Sequence, residues 1–570
     1  MENALMTVSS RWMGRLTHPL GAALLLLLVC FGLHRSALSG GWQFDDGAHL
    51  LMAAKYAPWQ YFFVPEVMLE STYAHITPWN VFFYEMGLPF FGLNPVGHYV
   101  HLLLVLWGVA YATFFLLGEW LPKPYALFGA VLFLAMPPVA GVAQMLMVGH
   151  YVYGLLFTVL ALLAFNRAVL TGQTRYALLT AGLYALACLC KELYVPLPAV
   201  LLFLPVKTWQ LRLRSLLGVA VVAVAYVGFR WWVLGGGGGQ SSIAPLAFLD
   251  GASWLRLQQS LFGNQLRGKF ATALFVVGIL WFLYREGWRM SIWCGVVVGM
   301  LLIPLLLGTG LSFAEDAVRY ALVIAWAVAV ASAEIGVLLT ATSFTGALVL
   351  PVGLLLLAVM LPAHGGVRSS IAAKGLEWVT LNRWVLKEAG NPKQALFIDN
   401  EPATKSLAKV KSLMGFSAPR LVLTRNDVEA LPESIDLFAY DAGCHCVVRK
   451  LGGKAALATP WRLAAEGGKN QPLQVHLKIN SLNVRGVAGA RTGSAEWLFG
   501  PYKEGVYWVE TADFGIALPP QGSHRLYSAG HEWRIRIRYT SPQGWTVETP
   551  ELTLPLAQGA EVRWEKPPQP

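Results

Sequence analysis

Between residues 20 and 362 the chain is divided into apolar segments near the length that crosses a bilayer, and this repetition limits the fold more than any other feature. A helix needs about 20 apolar residues to span the hydrocarbon core. Eleven candidate segments, some of them short, centre on 20–38, 97–117, 124–140, 150–166, 176–190, 193–206, 215–234, 270–284, 290–311, 318–339 and 343–362. With 56% hydrophobic residues, 13% charged residues and a mean hydropathy of +0.51, the chain is too apolar for an ordinary soluble enzyme. It reads as a polytopic α-helical membrane protein. The net charge of +11 has a topological source, because Lys and Arg gather in short loops between apolar segments, where they mark the cytoplasmic side. No nucleic-acid partner is needed to explain it.

The first apolar run follows Arg11, Arg15 and His18 and lacks a small-residue cleavage site, the pattern of an uncleaved signal anchor in a bacterial inner membrane. With the N-terminus cytoplasmic, the loops Glu119 to Lys123, Arg167 to Arg175, Lys207 to Arg214 and Arg285 to Arg289 all fall inside. The opposite face then receives the Asp45-Asp46 loop, the Lys191-Glu192 pair, the Glu315-Asp316-Arg319 cluster and everything after His364. Residues 176 to 206 are too long for one span and lean for two, with Lys191-Glu192 in the middle and Pro196 and Pro198 just after. Such a break is tolerated where protein or a water-filled cavity receives the freed backbone groups, so a cavity is expected here. Five consecutive glycines from Gly235, and the polar residues up to Lys269 that include Arg256 and Arg267, read as an external loop and a mobile lid.

Residues 1–364 therefore form a membrane domain, and 365–570 an extracytoplasmic domain that divides near 465. Ala395 to Asp399, Arg420 to Thr424, Asp436 to Tyr440 and His445 to Arg449 read as strands, with a helix over Thr404 to Met414, an α/β piece. Beyond Pro472 apolar and polar residues alternate, as in Leu473 to Ile479, Val506 to Thr511, Trp533 to Tyr539 and Thr546 to Pro555, which predicts an antiparallel sandwich. Its aromatic run Trp497, Phe499, Tyr502, Tyr507 and Trp508 suits either a sandwich core or a surface that stacks sugar rings. Cys444 and Cys446, one residue apart, can close a disulfide, pair elsewhere or stay reduced, and geometry does not favour the first.

The chemistry centres on residues 39–96, the first external loop. Gly41-Trp42-Gln43-Phe44-Asp45-Asp46-Gly47-Ala48-His49 places two adjacent carboxylates at the membrane surface, where unpaired charge is costly without a task or a partner. The loop continues through Tyr56, Trp59, Tyr61, Phe62, Phe63, Tyr73 and Trp79, an aromatic density suited to the headgroup level. A carboxylate serves as a general base, and Lys191 or Arg319 holds a phosphate through charge-assisted hydrogen bonds. Such a set suits transfer of a sugar from a lipid phosphate, whose departing phosphate is already a stable anion and needs no general acid. Against this stand plainer roles: Asp45-Asp46 as a helix cap, Lys191-Glu192 as a structural ion pair, Arg319 as an interface anchor, and His98 and His101 as packing residues.

Phe44-Asp45-Asp46-x-x-His49 resembles the acidic motif in the first external loop of GT-C-type glycosyltransferases, which use polyprenyl-phosphate sugars and include the protein O-mannosyltransferases and aminoarabinose transferases. The resemblance continues through Tyr73-Ala-His75-Ile-Thr77-Pro78, through Phe91 to His101, at Cys190-Lys191-Glu192-Leu-Tyr-Val-Pro196, and at Arg319-Tyr320. It implies a GT-C-like membrane domain in which Asp45 is the catalytic base and Asp46 orients it, binds the acceptor or contacts a metal. Lys191 and Arg319 face the donor phosphate, with Glu192, His49, His75, His98 and His101 in support. The family has metal-dependent and metal-independent members, so a divalent ion is left open and no cofactor is assigned. His98-Tyr99 inverts the expected order and the tail carries no tetratricopeptide pattern, so nothing is implied about whether the acceptor is a glycan, a lipid or a protein. The rival readings are a transporter or flippase of lipid-linked sugars and a non-catalytic membrane scaffold with a partner-binding tail. Transporters place substrate near the midplane and often repeat their halves, whereas here the charges gather on one face.

Overall fold

The computed structural model describes residues 15–71, 75–203, 209–235, 251–263, 266–286, 319–340, 346–388, 390–391, 393–398, 402–422, 427–428, 430–455, 473–487, 489–511, 515–528 and 531–565. The expected span at 290–311, Glu315, Asp316 and the glycine run after Gly235 lie outside them.

The helices run in order as α1 Pro19–His34, α2 Asp46–Lys55, α3 Gln60–Phe63, α4 Pro65–Ser71, α5 Pro78–Phe91, α6 Pro95–Gly118, α7 Lys123–Ala135, α8 Pro137–Ala143, α9 Gly149–Thr171, α10 Thr174–Cys190, α11 Leu197–Phe203, α12 Trp209–Leu234, α13 Gly251–Phe262, α14 Leu266–Glu286, α15 Leu322–Thr340, α16 Gly346–Lys387 and α17 Pro402–Leu413. Proline opens several of them, where its missing N–H costs nothing. Five stretches are long and apolar enough to cross a membrane: Pro19–Ser39, Pro95–Gly118, Leu146–Thr171, Trp209–Leu234 and Leu356–Lys387. The pair α7 and α8, bent by 59° at Pro137, makes a sixth if taken as one broken span. Thr174–Cys190 and Leu322–Val337 are shorter apolar helices. The chain is thus a multi-pass membrane protein, and the expected count of eleven is not reached among the described residues. The segment at 193–206 is only the seven-residue α11, and α14 carries Arg267 and Lys269 in its first turn and Arg285 and Glu286 in its last.

Two sequence expectations are corrected. Residues 39–96 are not a plain loop, since α2 to α5 lie within them. Residues 251–262 are not loop but form α13, because Leu257, Leu261 and Phe262 recur at helical spacing and are buried. Arg267 and Lys269 are exposed on α14.

Two compact units make up the chain. The first comprises Met1–Gly40, His75–Phe229 and Gly239–Lys374; the second comprises Gly41–Ala74, Arg230–Gly238 and Gly375–Pro570. In the first, buried polar contacts lock apolar helices in register. Trp326 Nε1 donates to Thr113 Oγ1 at 2.8 Å, and the Tyr99 hydroxyl donates to the Gln144 carbonyl at 3.1 Å. Each such bond would be costly to leave unmade in an apolar interior.

In the second unit, β1 Gln394–Phe397, β2 Arg420–Val422, β3 Asp436–Asp441 and β4 Cys446–Arg449 form a sheet in the order β2-β1-β3-β4. The β1 pairings are parallel and β3–β4 is antiparallel. After it come β5 Gln474–Arg485, β6 Ala490–Gly500, β7 Val506–Glu510, β8 Gly515–Leu518, β9 Gln521–Ser528, β10 Glu532–Thr540, β11 Thr546–Glu548, β12 Leu552–Pro555 and β13 Glu561–Glu565. They pair as β11-β10-β7-β8, with β12 also on β10, and as β13-β5-β6-β9. Alternate residues such as Val475, Leu477 and Ile479 on β5 and Ile535, Ile537 and Tyr539 on β10 fill one core, as the two-residue period requires. Trp497, Phe499 and Tyr507 are buried there, with Tyr502 packed against it, so core packing accounts for these four, while Trp508 is half-buried outside that core.

Lys411 of α17 caps α16. Its Nζ donates to the carbonyls of Val385, Leu386 and Glu388, at 2.9, 3.2 and 2.6 Å, which supplies both charge and donors to the negative end of a helix dipole. Cys444 and Cys446 are disulfide-bonded, against the sequence expectation. The β3–β4 turn explains it: His445 takes a left-handed φ of 50°, and the two Cα atoms come to 5.3 Å, inside the range a disulfide spans.

Candidate functional site

The acidic motif lies in the second unit, at the start of α2. Asp45 occupies the N-cap position, yet its carboxylate makes no capping bond and is exposed. Its neighbour differs in every respect. Asp46 is fully buried in the first helical turn, and its Oδ2 accepts the Gln43 N–H at 2.8 Å. A carboxylate there also faces the positive end of the helix dipole.

Just before the pair, Phe44 has a φ of 50°, an uncommon conformation for a bulky residue that costs about 1–3 kcal/mol and persists only where its surroundings impose it. The end of α16 does so. The Phe44 ring meets Trp378 at 4.8 Å between centroids, and Asn382 Nδ2 donates to the Trp42 carbonyl at 2.8 Å, a buried bond. Gly375 lets the Gln43 side chain come close, since a Cβ there would stand 1.9 Å from Gln43 Oε1 and displace it. On its other side α2 packs along α17. The outcome is a strained, over-determined turn that buries one acid and presents the other. His49, one turn into α2, is buried as well. Burial lowers its pKa, and the Asp45 carboxylate opposes this in part.

The basic motif lies in the first unit. α10 ends at Cys190, Lys191 is extended, and a 3-10 turn over Glu192–Tyr194 leads to α11. Tyr184 donates to the Val195 carbonyl at 2.7 Å, so protein takes up part of the freed backbone. Lys191 is buried, with Nζ 3.6 Å from Glu192 Oε2 and 5.8 Å from the centre of the Tyr151 ring. Glu192 ties the turn to the chain just after the first external loop. Its Oε1 accepts the Ile76 N–H at 3.2 Å and meets His75 Nδ1 at 3.2 Å.

Tyr151, at the start of α9, packs edge-on against Tyr320 at 5.7 Å, and Arg319 lies over the Tyr320 ring at 5.2 Å. The charges of Lys191 and Arg319 both act on Tyr320. The first unit therefore gathers Lys191, Glu192, His75 and Arg319, four residues singled out in sequence, around two tyrosines. Tyr151 was not among them. A signal exists in Gly149-His150-Tyr151-x-Tyr153, a polar-tipped aromatic cluster opening an otherwise apolar helix.

His98 and His101 hold other partners. His98 Nε2 meets the Gly92 carbonyl at 3.2 Å while its ring packs edge-on to Phe91. His101 stacks on Phe83 and bonds the Tyr153 hydroxyl. Both thus have packing and hydrogen-bond partners among neighbouring residues. Among the described residues no three His, Cys, Asp or Glu side chains form a metal-ligand group.

No protein-family profile matches the chain, and no curated protein does. Solved structures similar to it include the following three. One is the oligosaccharyltransferase of Archaeoglobus fulgidus, tethered through a disulfide to an acceptor peptide containing the NVT sequon, at a TM-score of 0.40 and 13% identity over 72% of this chain and 64% of that one. The chain thus spans less than two thirds of that protein. ArnT of Cupriavidus metallidurans matches in its apo state at a TM-score of 0.43 and 12% identity, over 74% of this chain and 93% of that one. The same protein bound to undecaprenyl phosphate matches at 0.41 and 12%, over 74% and 92%.

Proposed function

We propose that the protein is an integral-membrane glycosyltransferase that moves a sugar from a polyprenyl-phosphate donor to an acceptor on the outer face of a bacterial inner membrane. The acceptor is a glycan, a lipid or a protein. In this reading Lys191 and Arg319 hold the donor phosphate and Asp45 is the general base. The acceptor oxygen attacks the anomeric carbon as its proton passes to Asp45; the bond from that carbon to the phosphate oxygen breaks, and the electron pair leaves on the phosphate, inverting the centre. A phosphate anion leaves without protonation, so one base and the cations supply what the step needs.

The observation that carries the reading is the meeting of two cations, remote in sequence, at the Tyr151–Tyr320 pair. Burying the Lys191 cation is costly, and its neighbouring carboxylate, Glu192, is shared with His75 and a backbone N–H. A donor phosphate would bring Lys191 a further counter-charge. The separation of the acids adds support, since Asp46 is consumed by the fold and Asp45 is not.

The test is sugar transfer in proteoliposomes from a synthetic polyprenyl-phosphate donor. Asp45→Asn should lower turnover by about 10²- to 10⁴-fold, the usual contribution of a general base, while donor binding persists. Full activity in that variant would remove Asp45 from the mechanism.

A further inference from the structure

The β5–β6 hairpin carries an apolar tip at the end of a membrane helix. α12 exposes Leu213, Leu217, Val221, Val224 and Val227 along one face, a lipid-facing stripe that ends at Trp231 and Trp232, themselves 63% and 52% exposed. Trp209 marks its other end, 54% exposed. From Trp209 to Trp231 the helix rises about 33 Å at 1.5 Å per residue, close to the thickness of the hydrocarbon core. Tryptophans at that spacing mark the two headgroup belts.

The hairpin turn sits on the last turn of this helix. Val487 N–H donates to the Trp232 carbonyl at 2.9 Å, one of the C-terminal acceptors a helix leaves unsatisfied. Gly486, at a φ of 69°, permits the approach, because a Cβ there would stand 2.0 Å from the Val233 carbonyl oxygen. Around the turn Val484 and Val487 are 61% and 51% exposed. They belong to a sandwich whose own core is filled from the other residues of these strands, so the two valines add nothing to it.

We propose that the β5–β6 tip is a membrane contact: Val484 and Val487 rest in the headgroup region beside Trp231 and Trp232, so that the sandwich holds the bilayer surface directly. The occupant is lipid because the tip is hydrogen-bonded to the helix at the level where its lipid-facing stripe ends.

Spin labels at Val484→Cys and Val487→Cys in the full chain, with Cys294 replaced by Ser and the protein in proteoliposomes, test this through collision with oxygen and with a water-soluble nickel chelate. A label at Val227→Cys gives the lipid reference. A label at Lys503→Cys, beyond the far end of β6 and about 35 Å along the strand, gives the aqueous one. The expected result is an oxygen-to-nickel collision ratio at 484 and 487 raised above that at 503 and toward that at 227. A ratio equal to that at 503 would overturn the proposal, and so would protection from both reagents, which would mean that protein covers the tip. The outcome does not depend on the proposed activity.

Discussion

The acidic motif of one unit and the basic motif of the other are each a pair of adjacent ionisable residues, and each divides its labour. In Asp45-Asp46 the second acid is buried and bonded to the Gln43 N–H, while the first is exposed and makes no capping bond. In Lys191-Glu192 the second residue again serves the fold, receiving the Ile76 N–H and His75, and the first is held against an aromatic ring. The contrast lies in the environment given to the working member. Asp45 meets solvent; under the proposal it is the member that takes the acceptor's proton. Lys191 is buried; under the proposal it is the member that meets the donor phosphate, where the pull between charges grows with the loss of water.

The comparison breaks first at Lys191. If it holds the donor phosphate, Lys191→Met should raise the donor KM by about 10- to 100-fold, the worth of a charge-assisted hydrogen bond, and leave the acceptor KM unchanged. Arg319→Met should act in the same direction. Asp45→Asn should show the opposite pattern, a fall in kcat at a nearly constant donor KM. Equal changes in both KM values for Lys191→Met would return that residue to the role of a structural ion pair.

Much of this was legible in the chain, for reasons that differ by region. The α/β strands and α17 stand close to their expected bounds because short apolar runs between Gly, Pro and Asp have few other ways to pair. The break at Lys191 was visible because a charged pair followed by prolines cannot continue an apolar helix. What holds Phe44 was not visible. Gly375, Trp378 and Asn382 lie more than three hundred residues away and look like ordinary positions on a long helix. Tyr151 was missed for a similar reason: a tyrosine at the mouth of an apolar helix reads as a belt residue until Tyr320 is seen beside it. The Cys444–Cys446 bond depended on a single left-handed residue, which local sequence does not announce.

A second, smaller set of effects sharpens the distinction between the two acids. Asp46→Ala leaves the buried Gln43 N–H without its acceptor and should cost about 1–3 kcal/mol of stability, read as a lowered melting temperature. Asp45→Ala should leave the melt unchanged. Asn382→Ala removes the bond to the Trp42 carbonyl and should cost about 1 kcal/mol, with faster amide exchange over residues 41–49. Equal melts for Asp45→Ala and Asp46→Ala would erase the asymmetry on which the comparison stands.

The smallest expected effect is a pH dependence at His49, and its sign follows from burial. An unfolded histidine titrates near 6.5, whereas burial sets the folded value lower and the Asp45 carboxylate restores only part of the difference. Between the two values the unfolded chain binds more protons than the folded one, so stability rises with pH through that window and levels off above about 6.5. Acidification from pH 7 toward 5 should therefore speed amide exchange in α2, and His49→Gln should flatten that part of the slope. Asp45→Asn removes the charge that supports the imidazolium; the folded value drops further, and the loss of stability should continue to lower pH than in the wild type. Parallel exchange profiles in all three proteins would mean that α2 does not hold His49 neutral, and the exposed acid would then have no electrostatic tie to the turn that presents it.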